Sequence, residues 1–333
     1  MVNAQVKVNE DVRTILEVLK DKTIEHVYFI ACGGSLAVMH PNKYYLDQNS
    51  EKLSTDFYNS HEFVYRNPVG INESSLVVLC SQTGNTKETV EAAEFAKTKG
   101  ALTVGLTEDI ESPLAKAVDY TIKYKAFYTT GIPIDIVDSN YSVLYQFVSG
   151  LVKIYDGKDQ MAKMINSLSN LQAVIDRTHE QYEEYTNTFA KAFKDEKVIY
   201  TMASGANYGA AYSYAICVLM EMQWIHSQAI HAGEFFHGPF EVLDKDVPFI
   251  MLKGLDHTRH LEERAHNFLS KFGGNTLVLD AKDFDFTGVD EDVQGYLAPI
   301  VFFEVLWKFA YKLAEERNKP MLVSRRYMKK FDY

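Results

Sequence analysis

The sequence is short of cysteine, of long apolar runs and of positive charge, and each shortage removes a class of function. Its three cysteines, Cys32, Cys80 and Cys217, lie far apart in apolar surroundings and match no metal-ligand spacing, so they are read as reduced core residues. No stretch approaches the ~20 apolar residues needed to span a bilayer. The N-terminal MVNAQVKVNEDVRTILEVLKDK lacks the apolar core of a secretory signal, so a cytoplasmic protein with no membrane partner is expected. A net charge of −11 disfavours nucleic acid and anionic membranes and favours a small-molecule partner, for which a local basic pocket can still hold a phosphate. Low-complexity segments are also absent. With 47% hydrophobic and 24% charged residues, the 333-residue chain has the composition of a folded protein with room for two cores.

In chain order, Val12, Ile15, Leu16, Val18 and Leu19 form a helical stripe, and the strand HVYFIACGG breaks at Gly33-Gly34 into a helix that begins near Ser35. A second strand, SLVVLC, runs into Ser81-Gln82-Thr83-Gly84-Asn85-Thr86 and the helix KETVEAAEFAKTKG, after which LTVGLT is a third strand. This rhythm predicts an α/β fold, a parallel sheet with helices on both faces. Tyr141 to Tyr185 reads as mainly helical, with a more polar stretch near Ile165 to Glu184 linking two halves. The chain then starts over. VIYTMASGANYG repeats VYFIACGGSLAV, and VPFIMLKG and TLVLDA correspond to LVVLCSQTG and LTVGLT. Val27 to Val198 is an offset of 171 and Thr103 to Thr276 one of 173, so a duplication is expected, with domains at 1–165 and 166–333. The halves differ chemically: only the first has SQTGNT and only the second has HAGEFFHGP. The basic, aromatic C-terminal segment is too apolar at Met321, Leu322, Val323, Tyr327 and Phe331 for a free tail, and is expected to dock.

Two stretches carry chemistry. In SQTGNT, the hydroxyls of Ser81, Thr83 and Thr86, a glycine turn and a helix N-terminus can together cradle an anion without a lysine. The same residues also read as a plain N-cap, with Thr86 capping and Glu88 or Glu91 in the first turn. Between Glu221 and Pro239, nineteen residues hold two carboxylates, three imidazoles and two glycines. Glu221 ends an apolar helix, where a buried carboxylate is costly unless used, and His237 lies in a turn beyond it. A base and an acid on separate supports that converge on one substrate suit proton transfer. His231, Glu234 and His237 follow an i, i+3, i+6 pattern interrupted by glycine, which is not a metal-ligand spacing, and no metal or other cofactor is expected. His226 reads as a satisfied structural histidine, His231 as structural or supporting, and His257, His260 and His266 as solvated on a polar helix.

ACGGS, SQTGNTKET and a second α/β half carrying EMQWIH ahead of HAGEFFHGP resemble the sugar isomerase (SIS) domain family in its double-domain form, as in the isomerase half of glucosamine-6-phosphate synthase. Within it, ASGANYG, MEMQWIH, HAGEFFHGPFE and RRYM are similar to segments of the bacterial fructosamine 6-phosphate deglycases, which split phosphorylated Amadori compounds into glucose 6-phosphate and an amino acid. The resemblance implies two flavodoxin-like, doubly wound domains. It places a phosphate site on Ser81, Gln82, Thr83, Gly84, Asn85 and Thr86, with Ser35 at the sugar, a catalytic glutamate at Glu221 and a ring-opening histidine at His237. It also implies a homodimer or larger homo-oligomer with active sites at the interface, where the histidine can come from either chain. Two departures stand out. The chain begins its first strand near His26, leaving no room for the synthase's glutaminase domain. Val218 replaces the lysine three residues before the synthase's glutamate, and its near-C-terminal lysine has no match beyond Arg325, Arg326, Lys329 and Lys330, so Schiff-base capture of a free ketose is not expected.

The expected substrate is therefore a phosphorylated sugar-amine. The carbonyl at C2 of the open-chain Amadori compound acidifies the C1 proton, which a Glu221 carboxylate made more basic by burial removes while His237 handles the ring oxygen. A plain aldose–ketose isomerase and a non-catalytic sugar-phosphate sensor are the alternatives, and the released amine is left open: lysine, another amino acid, or the product of a glucoselysine epimer.

Overall fold

The structure, a computed structural model, describes residues 8–126, 134–321, 323, 325–328, 330 and 331. Leu322 and Lys329 lie outside the described residues. Two compact units make up the chain, Met1–Gln172 with Gly288–Val293, and Ala173–Thr287 with Gln294–Tyr333.

The first unit is built on five parallel strands, β1 (His26–Ala31), β2 (Ser54–Asn59), β3 (Ser75–Cys80), β4 (Leu102–Thr107) and β5 (Tyr120–Lys123), in the order β2-β1-β3-β4-β5. Every residue of β3 is buried, which is why its sequence is a continuous apolar run rather than an alternation: both faces of the sheet are covered. The covering helices are α1 (Glu10–Leu19), α2 (Gly33–Asn49), α3 (Ser60–Arg66), α4 (Lys87–Thr98), α5 (Pro113–Ala117) and α6 (Asn140–Asp156). Helix α1 starts where Asn9 accepts a hydrogen bond from the Val12 amide, and it buries Val12, Ile15, Leu16 and Leu19, the stripe expected from the sequence. All of α6 from Asn140 to Val152 is buried, in keeping with its apolar surface.

Helix α7 (Met161–Phe193) is continuous for 33 residues, so the polar stretch expected between the halves is one helix, and the division between units falls inside it. The expected boundary at 165 lies in the same helix. The second unit repeats the plan with four parallel strands, β6 (Val198–Ala203), β7 (His226–His231), β8 (Phe249–Lys253) and β9 (Thr276–Asp280), ordered β7-β6-β8-β9. That order reproduces β2-β1-β3-β4, with β8 and β9 standing where β3 and β4 stand in the first sheet. Its helices are α8 (Tyr208–Ser213), α9 (Arg259–Phe272) and α10 (Glu291–Glu316), the last beginning in the residues assigned to the first unit. Helix α8 does not stop at Ser213: Tyr214–Met222 continues as a π-helix, a widening that the apolar sequence did not announce.

The HAGEFFHGP turn hangs on an aromatic cluster. Phe235 is fully buried, with ring centroids 5.1 Å from Phe236, 6.3 Å from Phe249 and 6.0 Å from Phe268. Removing that ring leaves a cavity beneath the turn, so Phe235→Ala is expected to lower stability by about 3–5 kcal/mol in urea unfolding.

Candidate active site

In an open parallel sheet, a crevice forms at the carboxyl ends of the strands where connections diverge to opposite sides, here between β1 and β3 in the first unit. Two junctions border it, Cys32 with the first turn of α2, Gly33-Gly34-Ser35, after β1 and the loop Ser81–Thr86 after β3. Helices α2 and α4 start from these junctions, and neither has a side-chain cap at its N-terminus. Thr86 occupies the N-cap position of α4, yet its hydroxyl contacts Ser81 Oγ at 2.9 Å instead of capping the helix. The plain N-cap reading of SQTGNT therefore fails, and the amides at the start of α4 keep their capacity for an anion.

The loop is built to hold its shape. Gly84 has φ +66°, and a Cβ there would lie 2.0 Å from Ser112 Oγ, so only glycine fits. The Gln82 carbonyl accepts from the Glu108 amide and Thr107 Oγ1, and its side-chain amide donates to Glu108 Oε2 at 2.8 Å. Gln82 thus braces the loop through its side chain. Thr83 and Asn85 are exposed, with Asn85 Nδ2 donating to the Thr83 carbonyl. Ser81 is buried, and Ser35, half-buried at the start of α2, hydrogen-bonds the Cys80 thiol. Burial pushes that thiol up to about 11, so Cys80 stays a neutral partner in this wall.

The corresponding crevice of the second unit, between β6 and β8, is filled by the chain itself. Glu262, fully buried on α9, accepts from the Ser204 amide (2.9 Å), Ser204 Oγ (2.9 Å) and the Gly254 amide (2.6 Å). Asp256 accepts from the Ala206 and Thr258 amides, from Thr258 Oγ1 and from Asn207 Nδ2. These carboxylates stand in for the oxygens of an external anion. Sequence reasoning missed them because they sit in a stretch that reads as a polar, solvated helix. The Ser-Gly break at Ser204-Gly205, followed by acidic residues after β8, was the available signal.

Glu221 and His237 lie in the second unit and are separated by β7. Glu221 ends the π-helix, which runs down toward the amino end of the sheet, whereas His237 lies in the turn beyond the carboxyl end of β7. Six extended residues span about 16 Å between the two places. The expectation that both converge on one substrate therefore does not hold within a single chain. Glu221 is not the lone buried carboxylate expected, either: its side chain is 21% exposed and accepts from Arg325 Nε at 2.5 Å. His237 is exposed, and its ring makes no hydrogen bond to any described residue.

Other histidines sort differently from expectation. His226 is exposed, without a ring hydrogen bond to any described residue, and so is not a satisfied structural histidine. His231 Nδ1 accepts from the Gly233 amide at 3.1 Å and its ring lies against Tyr208, a structural role in the turn. His257 and His260 are exposed, while burial pushes half-buried His266 below its usual range. Cys80 is buried; Cys32 and Cys217 are only partly so, and none of the three is in a disulfide. Among the described residues no group of three His, Cys, Asp or Glu is placed to hold a metal ion, and no helix is long and apolar enough to cross a membrane. A lysine that sequence reasoning overlooked, Lys319, lies with Nζ 3.1 Å from the Gln223 carbonyl and 3.2 Å from the Trp224 ring centre. Burial, followed by the nearby Arg317, Arg326 and Lys197, lowers it to about 8.

Two parallel sheets of this order, with helices on their faces, define a doubly wound α/β protein, and the chain belongs to the SIS domain family, whose model matches residues 22–150 and 192–298. Along its entire length it is 53% identical to fructosamine deglycase FrlB of Bacillus subtilis (strain 168), covering 100% of both chains. It is 29% identical to the fructoselysine 6-phosphate deglycase of Escherichia coli O157:H7, over 91% of this chain and 85% of that one. A Bacillus subtilis crystal structure described as a candidate phosphosugar isomerase superposes with a TM-score of 0.96 at 52% identity, covering 100% of each chain.

Glu262 makes the second crevice sensitive to pH. Burial is the main cause raising its carboxyl from 4.5 to about 7, against the hydrogen bonds from Gly254 and Ser204. Between these values the folded chain holds a proton that the unfolded chain has released, so stability falls as pH rises from 4.5 to 7, by about 3 kcal/mol. Glu262→Gln, which cannot ionise, is expected to flatten that fall in urea melts taken across the same range, even though it loses part of the hydrogen bonding.

Proposed function

We propose that the chain is a deglycase that cleaves a 6-phosphorylated Amadori compound, fructoselysine 6-phosphate or a close relative, with water to glucose 6-phosphate and a free amino acid. The observation that carries this reading is the full-length match to fructosamine deglycase FrlB. An anion cradle in the first unit and an oriented carboxylate in the second agree with it.

In this reading the phosphate rests on the Ser81–Thr86 loop and the α4 N-terminus, and its binding energy, remote from the reacting carbons, positions C1 and C2. His237 moves the proton on the ring oxygen as the ring opens. Glu221 takes the C1 proton, the C1–H electron pair becomes the C1=C2 bond, and the π pair of the C2 carbonyl moves to its oxygen, which takes up a proton from water to give an enaminol. Reprotonation at C2 leaves an imine at C1; water adds there, and the C–N bond breaks to release the amine and the aldehyde of glucose 6-phosphate. No enzyme lysine is required, in keeping with the buried Val218, because the substrate brings its own nitrogen. Since β7 separates Glu221 from His237 in one chain, the reading includes a homodimer or larger homo-oligomer in which His237 of a neighbouring copy completes the site. An aldose–ketose isomerase would use the same base and cradle; release of an amine, coupled to glucose 6-phosphate formation, separates the two activities.

Two mutational outcomes follow. Ser81→Ala with Thr83→Ala should raise KM far more than it lowers kcat, since a phosphate grip acts in ground and transition states alike; an unchanged KM would remove the loop from the site. Glu221→Gln and His237→Ala should each lower kcat by about 10²- to 10⁴-fold. After subunit exchange, a mixture of these two inactive variants should regain up to roughly a quarter of wild-type sites, as twofold symmetry requires when the two residues come from different chains. A mixture that stays inactive, with exchange verified, would return both residues to one chain.

A further inference from the structure

The contact between Glu221 and Arg325 joins residues 104 positions apart, and the proton-transfer scheme assigns nothing to the arginine. Arg325 Nε donates to Glu221 Oε1 at 2.5 Å, with the two side chains 22% and 21% exposed. The other carboxylate oxygen, Oε2, makes no hydrogen bond to any described residue. A charge-assisted bond to one oxygen fixes the plane of a carboxylate whose terminal torsion is otherwise broad, and leaves the second oxygen to accept a proton.

The arginine is itself held in register. Gln223, fully buried two residues after Glu221, donates through Nε2 to the Lys319 carbonyl (3.0 Å) and Met321 Sδ (3.3 Å), and its carbonyl accepts from Arg317 and Lys319. Met321 is buried. Trp224 takes φ +57°, a costly conformation for a bulky residue, and its ring lies 3.2 Å from Lys319 Nζ and 3.6 Å from Arg326 Cζ. Lys330 Nζ bonds the Arg325 carbonyl. Residues 221–224 are thus pinned to Arg317, Lys319 and Met321 on one side of Arg325 and to Arg326 on the other. The docking expected of the tail is real in this stretch, although Val323, Tyr327 and Phe331 are exposed rather than buried.

We propose that Arg325 is a positioning residue for the reaction: it anchors Oε1 of Glu221 so that Oε2 faces the C1 proton. This deepens the deglycase reading and rests on Glu221 being its base. Arg325 holds no bond that breaks or forms, so its removal should slow proton abstraction without weakening substrate binding.

The test uses the full-length protein and a 6-phosphorylated Amadori compound, with and without deuterium at C1. Glucose 6-phosphate release and exchange of the C1 proton with solvent are followed in parallel. Arg325→Ala is expected to lower kcat about 10²-fold, the cost of a small misplacement of a reacting group, while KM changes by less than about threefold. The isotope effect from C1 deuterium should grow as proton abstraction becomes limiting. Free guanidinium ion at non-denaturing concentration should restore much of the lost kcat to Arg325→Ala and none to the wild type, and Arg325→Lys, which keeps the charge without the planar fork, should lie between. An unchanged kcat, a rise in KM alone, or a loss that guanidinium does not relieve with no change in isotope effect would each overturn the assignment. Exchange without release in the wild type would sink the deglycase reading while Arg325 is judged from the exchange rate. Release that ignores Arg325 would sink the positioning role alone, and neither exchange nor release would sink both.

Discussion

Backbone amides at the carboxyl ends of parallel strands, and at the helix starts that follow them, must meet an acceptor, and the molecule depends on how each of its two sheets answers that demand. In the first unit the crevice between β1 and β3 is lined by two helix starts without side-chain caps. In the second, Glu262 and Asp256 supply the acceptors. One fold, used twice, yields a half with a place for a ligand's oxygens and a half that is complete without them. In the proposed reading, that asymmetry leaves proton chemistry in the second half to other places, the amino end of its sheet and the turn beyond β7.

Rigid supports matter for such chemistry because a base must be placed to within a fraction of an ångström. Glu221 sits at the end of a π-helical stretch, where the altered hydrogen-bond ladder sets the direction of the last side chains before β7: the Gln223 amide reaches back to the Val218 carbonyl and the Ile225 amide to that of Leu219. His237 is placed by different means, a turn whose neighbours Phe235 and Phe236 are locked into an aromatic cluster. Helix end and turn are fixed independently, as the proposed pairing of the two residues across chains requires.

Much of this was legible in the sequence because it depends on local patterns. Continuous β-branched runs gave the buried parallel strands, the offsets of 171 and 173 gave the duplication, and SQTGNT and HAGEFFHGP stood out by composition. What escaped depends on contacts distant in sequence or on backbone geometry without a residue signature. The Arg325–Glu221 pair spans 104 positions, and in the sequence Arg325 is only one of several cations in a basic tail. The π-helix has the apolar composition of any buried helix. Glu262 lies at the start of RHLEERAHN, where a charged helix face is the ordinary reading, and only the sheet order reveals that this position points into a crevice. The separation of Glu221 from His237 was open to arithmetic, since six strand residues lie between them, but their closeness in sequence suggested closeness in space.

The self-filled crevice also has a consequence for competition. A carboxylate carried on α9, eight residues from the amide it serves, is present at an effective concentration that a dissolved anion does not match. Inorganic phosphate is therefore a poor competitor in the second sheet, and under the proposed reading inhibition by phosphate, or protection by it against unfolding, would report on the Ser81–Thr86 loop without a background from its duplicate.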